Sequence, residues 1–548
     1  LAIPVGLIMG LAGSGLRVAF EAIYRWTQSF QNFTHNGFHV LQLGLIGLFF
    51  GLALKWLRWE RFRSPAHVIL AARDRDGRFS IRDGLITAAA DIISLGFGAS
   101  VGRHGPAVQL GATIGSGIGQ FFRLDRDALR ILLGCGVAGA VSASFNAPIA
   151  GVIFAHEMVI GHFRLRGFAP VTLASVAAIL VVRNLEFEYT TLKLELLEHE
   201  IGLLDYAIYG GVGLAAAILA ISFMWSVSNF SKLLGAVRLP IWTYTCVGGL
   251  LAGLVGFWAP GALGLGDSLV QEVLSQPVSA PTFTIVALVS LLIGKFIATT
   301  CCLGTRFPGG IFSPSMFMGA ILGAVIGLAI PGLDYQIASL VGMGAMVGAV
   351  VGAPLATILI VFELTEDYQA ATAVMVGVVA SNVVVTRFYA RSFFHRMIRG
   401  WGINLDHPKV RRRLEQIPVT QLIDWDFLSV SHDTTVAQLV PHIRPNHRGD
   451  IYVIDDERGL IGRFPIAQCL QHEGGTMIGD IMEPIRDKAW LDESDSVWDG
   501  FCLARNSPGI SVPVVADRES RYIVGRVLTS RLLSAYFDRV EKETDELL

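Results

Sequence analysis

Residues 1–405 are built from long apolar runs, and polar positions return in quantity only after them. Ala207–Ser231, Leu239–Gly266, Phe307–Leu333, Tyr335–Phe362 and Tyr368–Thr386 contain no Asp, Glu, Lys or Arg. Each is long enough to cross a hydrocarbon core of about 30 Å as a helix, which takes about 20 residues. An all-α, polytopic membrane region follows. Two places inside it break the pattern with glycine and proline. Gly102-Arg103-His104-Gly105-Pro106 is one, and Gly309-Gly310-Ile311-Phe312-Ser313-Pro314 is the other.

The two breaks are copies. Gly102, Pro106, Gly111, Ala112, Gly115, Ile118 and Gly119 recur 208 positions later as Gly310, Pro314, Gly319, Ala320, Gly323, Ile326 and Gly327. A second match has nearly the same offset, 206. Ala147-Pro148-Ile149-Ala150 with Glu157 recurs as Ala353-Pro354-Leu355-Ala356 with Glu363. Two ordered matches predict an internal duplication, with halves of about 1–200 and 201–405. Broken backbone within an apolar segment is tolerated only where it lines a cavity or is buried in protein. Two such breaks in corresponding halves point to a solute site inside the membrane.

Acids and bases return at ordinary density from about Arg411. A linker at 406–418 and a separate domain at 419–548 are expected. In that domain Thr434–Arg444 reads as an amphipathic helix, Ile451–Ile454 and Leu460–Phe464 as strands, and a helix begins at Ala467. The order recurs as helix Ser496–Arg505, strands Ile510–Val515 and Tyr522–Val527, and helix Thr529–Val540. Two helix-strand-strand-helix units predict a paired α/β module.

Composition sharpens the membrane reading. Hydrophobic residues make up 52% of the chain and charged residues 16%, against about 25% in soluble domains. The net charge of −2 gives no reason to expect nucleic acid as a partner. The six cysteines show no metal or disulfide spacing and read as small buried hydrophobes. The segments Lys55–Arg82 and Arg387–Arg413 are rich in arginine and lysine, which puts both, and the tail, on the cytoplasmic side. The chain opens on an apolar segment at Leu1 with no initiator Met, so its native start is expected upstream.

At each break, glycine permits close backbone approach and proline suits the first turn of a helix. Free N–H groups and the positive end of the helix macrodipole then favour an anion. These residues resemble the CLC chloride channels and transporters, and the paired α/β tail resembles a tandem of CBS domains. The resemblance spans essentially the whole chain. It implies two inverted halves, a homodimer in the lipid bilayer of a bacterial inner membrane, and one pathway for small inorganic anions per subunit. It also implies that His104, Gly105, Ile311, Phe312 and Phe394 surround the anion, with His104 as the gate and Glu157 on a proton pathway. No metal or cofactor is implied beyond the transported chloride.

The chain departs from the family at three positions. His104 stands where the family carries a glutamate whose carboxylate competes with the anion, and an imidazole is neutral or cationic, never anionic. The serine of the inner mouth is absent or shifted to Ser64 in Arg61-Phe62-Arg63-Ser64-Pro65. A tyrosine near the last helix falls at Phe394, with Tyr389 a less favoured candidate. In the tail, the acid that would hold a ribose is missing, since Thr529 is followed by Leu532 and Pro465 by Gln468. Adenine-nucleotide binding and a purely structural, dimer-forming role are both open there.

The reading is anion transport rather than enzymatic chemistry, with passive conduction favoured. One alternative is a proton-coupled antiporter in which a pH-sensitive His104 partners Glu157. Another class altogether is a membrane-anchored sensor whose tail binds the ligand. A His-Glu metalloprotease is excluded by spacing: position i+4 from His156 is Ile160, and His162 at i+6 lies elsewhere on the helix.

Overall fold

The protein is described by a computed structural model covering residues 1–31, 38–74, 76–163, 165–185, 202–236, 240–276, 283–403, 409–444, 449–455, 459–485, 489–506, 510–517 and 519–545. The expected boundary between the halves, near 200–201, lies outside these residues, as do Arg75 and the start of the expected linker, 406–408. The chain forms two compact units, Leu1–Gly402 and Ile403–Leu548.

The first unit is helical. Its first half runs α1 (Ala2–Gln31), α2 (Phe38–Leu57), α3 (Pro65–Arg73), α4 (Ile81–Gly96), α5 (His104–Phe121), α6 (Arg126–Phe145), α7 (Pro148–Phe154) and α8 (Leu165–Asn184). A π-helical stretch, Ala155–Ile160, extends α7. The second half runs α9 (Leu203–Ala236), α10 (Ile241–Val255), α11 (Asp267–Ser275), α12 (Ile285–Gly304), α13 (Phe312–Ala329), α14 (Tyr335–Val351), α15 (Pro354–Thr365) and α16 (Tyr368–Phe388), and α17 (Phe393–Gly400) follows. Eight helical segments among the described residues are long and apolar enough to cross a membrane. Leu41, Leu45, Phe49 and Leu52 form an exposed apolar stripe on α2, as a lipid-facing helix requires. Every residue of α14 is buried, which places that helix in the interior.

Packing repeats between the halves. Helix α5 packs on α6 as α13 packs on α14, and α1 packs on α8 as α9 packs on α16. Helices α2 and α10 pack on each other, as do α7 and α15, so these counterparts meet across a pseudo-two-fold axis. The end of α6 shows how local chemistry repeats too. Asn146 (φ 55°) and Gly352 (φ 83°) both take the left-handed conformation that ends a helix, each just before an Ala-Pro start. Helix α16 ends beside α17, which packs on α3, within the basic segment Lys55–Arg82. Helix α8 ends at Asn184, and its Val182 lines one cavity with Leu95, near the end of α4.

The second unit is α/β. Strands β1 (Ser429–Ser431), β2 (Asp450–Ile454), β3 (Leu460–Pro465) and β4 (Glu483–Pro484) form one sheet in that order, with β1 parallel to β2 and the rest antiparallel. Strands β5 (Leu491–Asp492), β6 (Ser511–Val515) and β7 (Ile523–Leu528) form a second sheet of the same pattern. The helix expected over Thr434–Arg444 is shorter. It is α19 (Val436–Leu439) followed by a 3₁₀ turn, Val440–His442, because Pro441 cannot continue an α-helix. The helix expected from Ala467 is likewise a 3₁₀ stretch, Ile466–Gln471. The expected linker is structured: α18 (Lys409–Glu415) buries Val410 and Leu414 against Leu491, Val512 and Leu532, so it belongs to the second unit's core.

Candidate functional site

The two breaks meet each other. Gly102 N–H donates to the Gly310 carbonyl (2.7 Å), and Gly310 N–H donates to the Gly102 carbonyl (2.8 Å), an antiparallel pair between matching positions of the repeat. Approach this close requires glycine. A Cβ on Gly102 would lie 2.8 Å from the Ser313 nitrogen, and one on Gly310 would lie 2.9 Å from the Gly105 nitrogen. The pairing satisfies backbone groups that lipid could not. It also sets the starts of α5 and α13 side by side, with His104 and Phe312 as their first residues.

A narrow cavity of about 20 Å³ lies where these helices begin. Its wall includes Pro65, His104, Gly105, Ile311, Phe312 and Phe394. Those residues stand at the starts of four helices, α3, α5, α13 and α17. A volume of that order holds one water-sized particle. Four helix N-termini aimed at so small a space make it positive in potential, without any cationic side chain in its wall.

Beyond His104 the space widens into a second cavity of about 190 Å³, which lies toward Ile92 and Leu95 at the end of α4. His104, Ser144 and Phe145 line both cavities and form the partition between them. The imidazole is buried and stacks on Phe145, with ring centres 3.9 Å apart and planes 20° apart, and it meets Phe312 edge-on at 5.2 Å. Its Nδ1 has no hydrogen-bond partner among the described residues. Phe145 and Ser144 were invisible to sequence reasoning. Their one signal is their place just before the Asn146-Ala147-Pro148 break.

Five of the residues expected around the anion are therefore together: His104, Gly105, Ile311, Phe312 and Phe394. Tyr389, the less favoured alternative to Phe394, is not in the wall. Two other expected positions are elsewhere. Ser64 is the N-cap of α3, with its Oγ 3.2 Å from His67 Nδ1 and 3.7 Å from the Met397 sulfur, and the cavity wall is made by its neighbour Pro65. Glu157 lines neither cavity. Its Oε1 and Oε2 accept hydrogen bonds from the backbone N–H of Leu355 (3.1 Å) and Ala356 (2.9 Å), at the start of α15. Glu363 does the same for Ile149 (3.0 Å) and Ala150 (2.7 Å), at the start of α7. Each glutamate caps the other half's helix, so Glu157, expected on a proton pathway, has a structural task there. His156 is also occupied, with Nδ1 2.9 Å from the His162 carbonyl and its ring between Phe163 and Phe168.

The fold and site together define a membrane protein with two related halves joined at a pair of broken helices around an ion-sized space. Residues 46–386 match the family model described as voltage gated chloride channel, and the chain belongs to that family. It is 32% identical over 366 residues to a putative ClcB-like chloride channel protein of Ralstonia nicotianae, covering 64% of this chain and 83% of that one. Among solved structures it shares its fold with a slow cyanobacterial Cl⁻/H⁺ antiporter (TM-score 0.64, 20% identity, 74% of this chain and 98% of that one). It also shares it with a eukaryotic CLC transporter (TM-score 0.61, 18% identity, 96% of both chains).

Proposed function

We propose that this protein conducts chloride or a similar small anion passively across the membrane. The observation that carries this reading is the wall of the narrow cavity. It is ringed by four helix starts, sized for one ion, and contains no carboxylate. Proton-coupled exchange needs an acid that alternately takes up a proton and displaces the anion, which an imidazole cannot do. The companion glutamate that such exchange would use, Glu157, is held by two backbone N–H groups. A His104–Glu157 partnership therefore has nothing to support it.

The basic segments put the end of α2 and the start of α3 inside, so the wide cavity opens toward the outer face and the narrow one toward the cytoplasm. An anion would pass from the wide cavity, past the His104–Phe145 partition, into the narrow cavity. We read the second unit as a cytoplasmic tandem CBS pair, from its two matching sheets, and the protein as a homodimer in a bacterial inner membrane. Chloride efflux from liposomes holding the purified full chain, with valinomycin balancing charge, tests the reading. Efflux is expected. Its absence at any pH, together with a nucleotide-induced rise in thermal stability, would instead favour the sensor.

A further inference from the structure

The wide cavity holds an ion pair that passive conduction alone does not use. Arg103 Nη2 lies 3.1 Å from Asp267 Oδ2, and the two side chains are 37% and 35% exposed. Both line the cavity beside His104. Arg103 is the residue just before the gate, at the N-cap of α5. Asp267 comes from the other half of the molecule, as the first residue of α11.

The main chain under each charge is fixed. Lys295, fully buried on α12, donates through Nζ to the carbonyls of Gly264 (2.6 Å) and Leu265 (3.2 Å), and lies over the ring of Phe317. Gly264 N–H donates to the Gly98 carbonyl (2.9 Å), and Ser100 Oγ donates to the Ala262 carbonyl (3.0 Å). The loop before Asp267 is thus fastened to the segment that leads into the first break. The Gly102–Gly310 pair fixes the backbone at Arg103 in turn. Rotation of its own side chains is enough to open the pair.

We propose that Asp267 controls the outer approach to the anion path by competing with the arriving anion for the Arg103 guanidinium. This rests on the conduction reading above. While the carboxylate holds Arg103, the positive charge in front of His104 is cancelled. An anion that displaces it gains a charge-assisted partner one residue from the gate. The chain thereby keeps a carboxylate that competes with the transported ion, supplied by α11 because position 104 has none. Asp267 stands outside the His104–Phe145 partition, so it competes without carrying protons inward.

The test is chloride flux through the full chain in liposomes as a function of outer chloride, at ionic strength held constant with gluconate. Asp267→Asn is expected to lower the half-saturating chloride concentration about 5-fold, in the range of a partly exposed ion pair. Arg103→Gln is expected to raise it, and Asp267→Asn added to Arg103→Gln is expected to change nothing further. An unchanged half-saturation in Asp267→Asn overturns the proposal, as does the same shift in the Arg103→Gln background. Should Asp267→Asn fail to fold, Arg103→Gln decides alone, and no rise overturns it. Flux from the wild type with unmoved variants sinks this inference only, whereas a silent wild type sinks the conduction reading with it.

Discussion

His104 and Phe394 show how single side chains set the character of the path. His104 stacks on Phe145 and brings no carboxylate, so the partition between the cavities is steric and aromatic. Truncating it should widen the connection between the two cavities. Chloride flux through His104→Ala is expected to rise several-fold over wild type; a fall would mean that the imidazole assists passage. Phe394 brings no hydroxyl donor to a wall whose other lining residues include Ser144. Phe394→Tyr adds one to the proposed anion site, and a hydrogen bond of about 1 kcal/mol should tighten chloride binding about 5-fold, read by calorimetric titration. His104, Gly105, Ile311, Phe312 and Phe394 were legible in the sequence because they lie on motifs. Phe145 was not, because it reaches the site through the packing of α6 on α5, which no local pattern encodes.

At the scale of elements, the duplication was visible from matched residues, but its consequence for Glu157 was not. The sequence aligns Glu157 with Glu363 and says nothing of contact between them and each other's helices. A two-fold relation turns such matched positions into reciprocal caps. Glu157→Gln and Glu363→Gln should each cost about 2 kcal/mol, the worth of charged hydrogen bonds to backbone. Thermal melts in detergent are expected to show similar losses for both, with anion flux retained in the folded fraction. Loss of flux in a fully folded Glu157→Gln would return that residue to the path. In the second unit, burial raises the Asp450 carboxyl above its ordinary range; nearby Arg463 opposes this, Glu483 adds to it, and Arg526 opposes it. A folded-state value above the unfolded one favours the fold below about pH 4. That contribution is lost as pH rises through the folded value. Asp450→Asn should therefore increase amide protection in β2 at pH 7, and the gain should vanish below about pH 4. An equal gain at both pH values would rule out titration as the cause.

For the whole molecule, the sequence conveyed a membrane unit of two related halves and an α/β tail because hydropathy and repeat offsets are global signals. It pointed to α3 and α17 through Ser64 and Phe394, but missed that Pro65 in place of Ser64 forms the wall, since both helices are short and carry no break motif. It also placed a linker where α18 packs into the tail, because charge density marks solvent exposure on one helix face and leaves the buried Val410 and Leu414 unannounced. The Gly102–Gly310 pair joins the halves at the two breaks, and His104, which brings no carboxylate, stands directly beside it. Passive conduction is the proposal that most needs testing. The decisive measurement is proton movement in liposomes under an imposed chloride gradient, with the full chain and a fluorescent pH reporter. Chloride should flow while the internal pH stays flat. Protons driven uphill at a fixed ratio to chloride would contradict passive conduction outright.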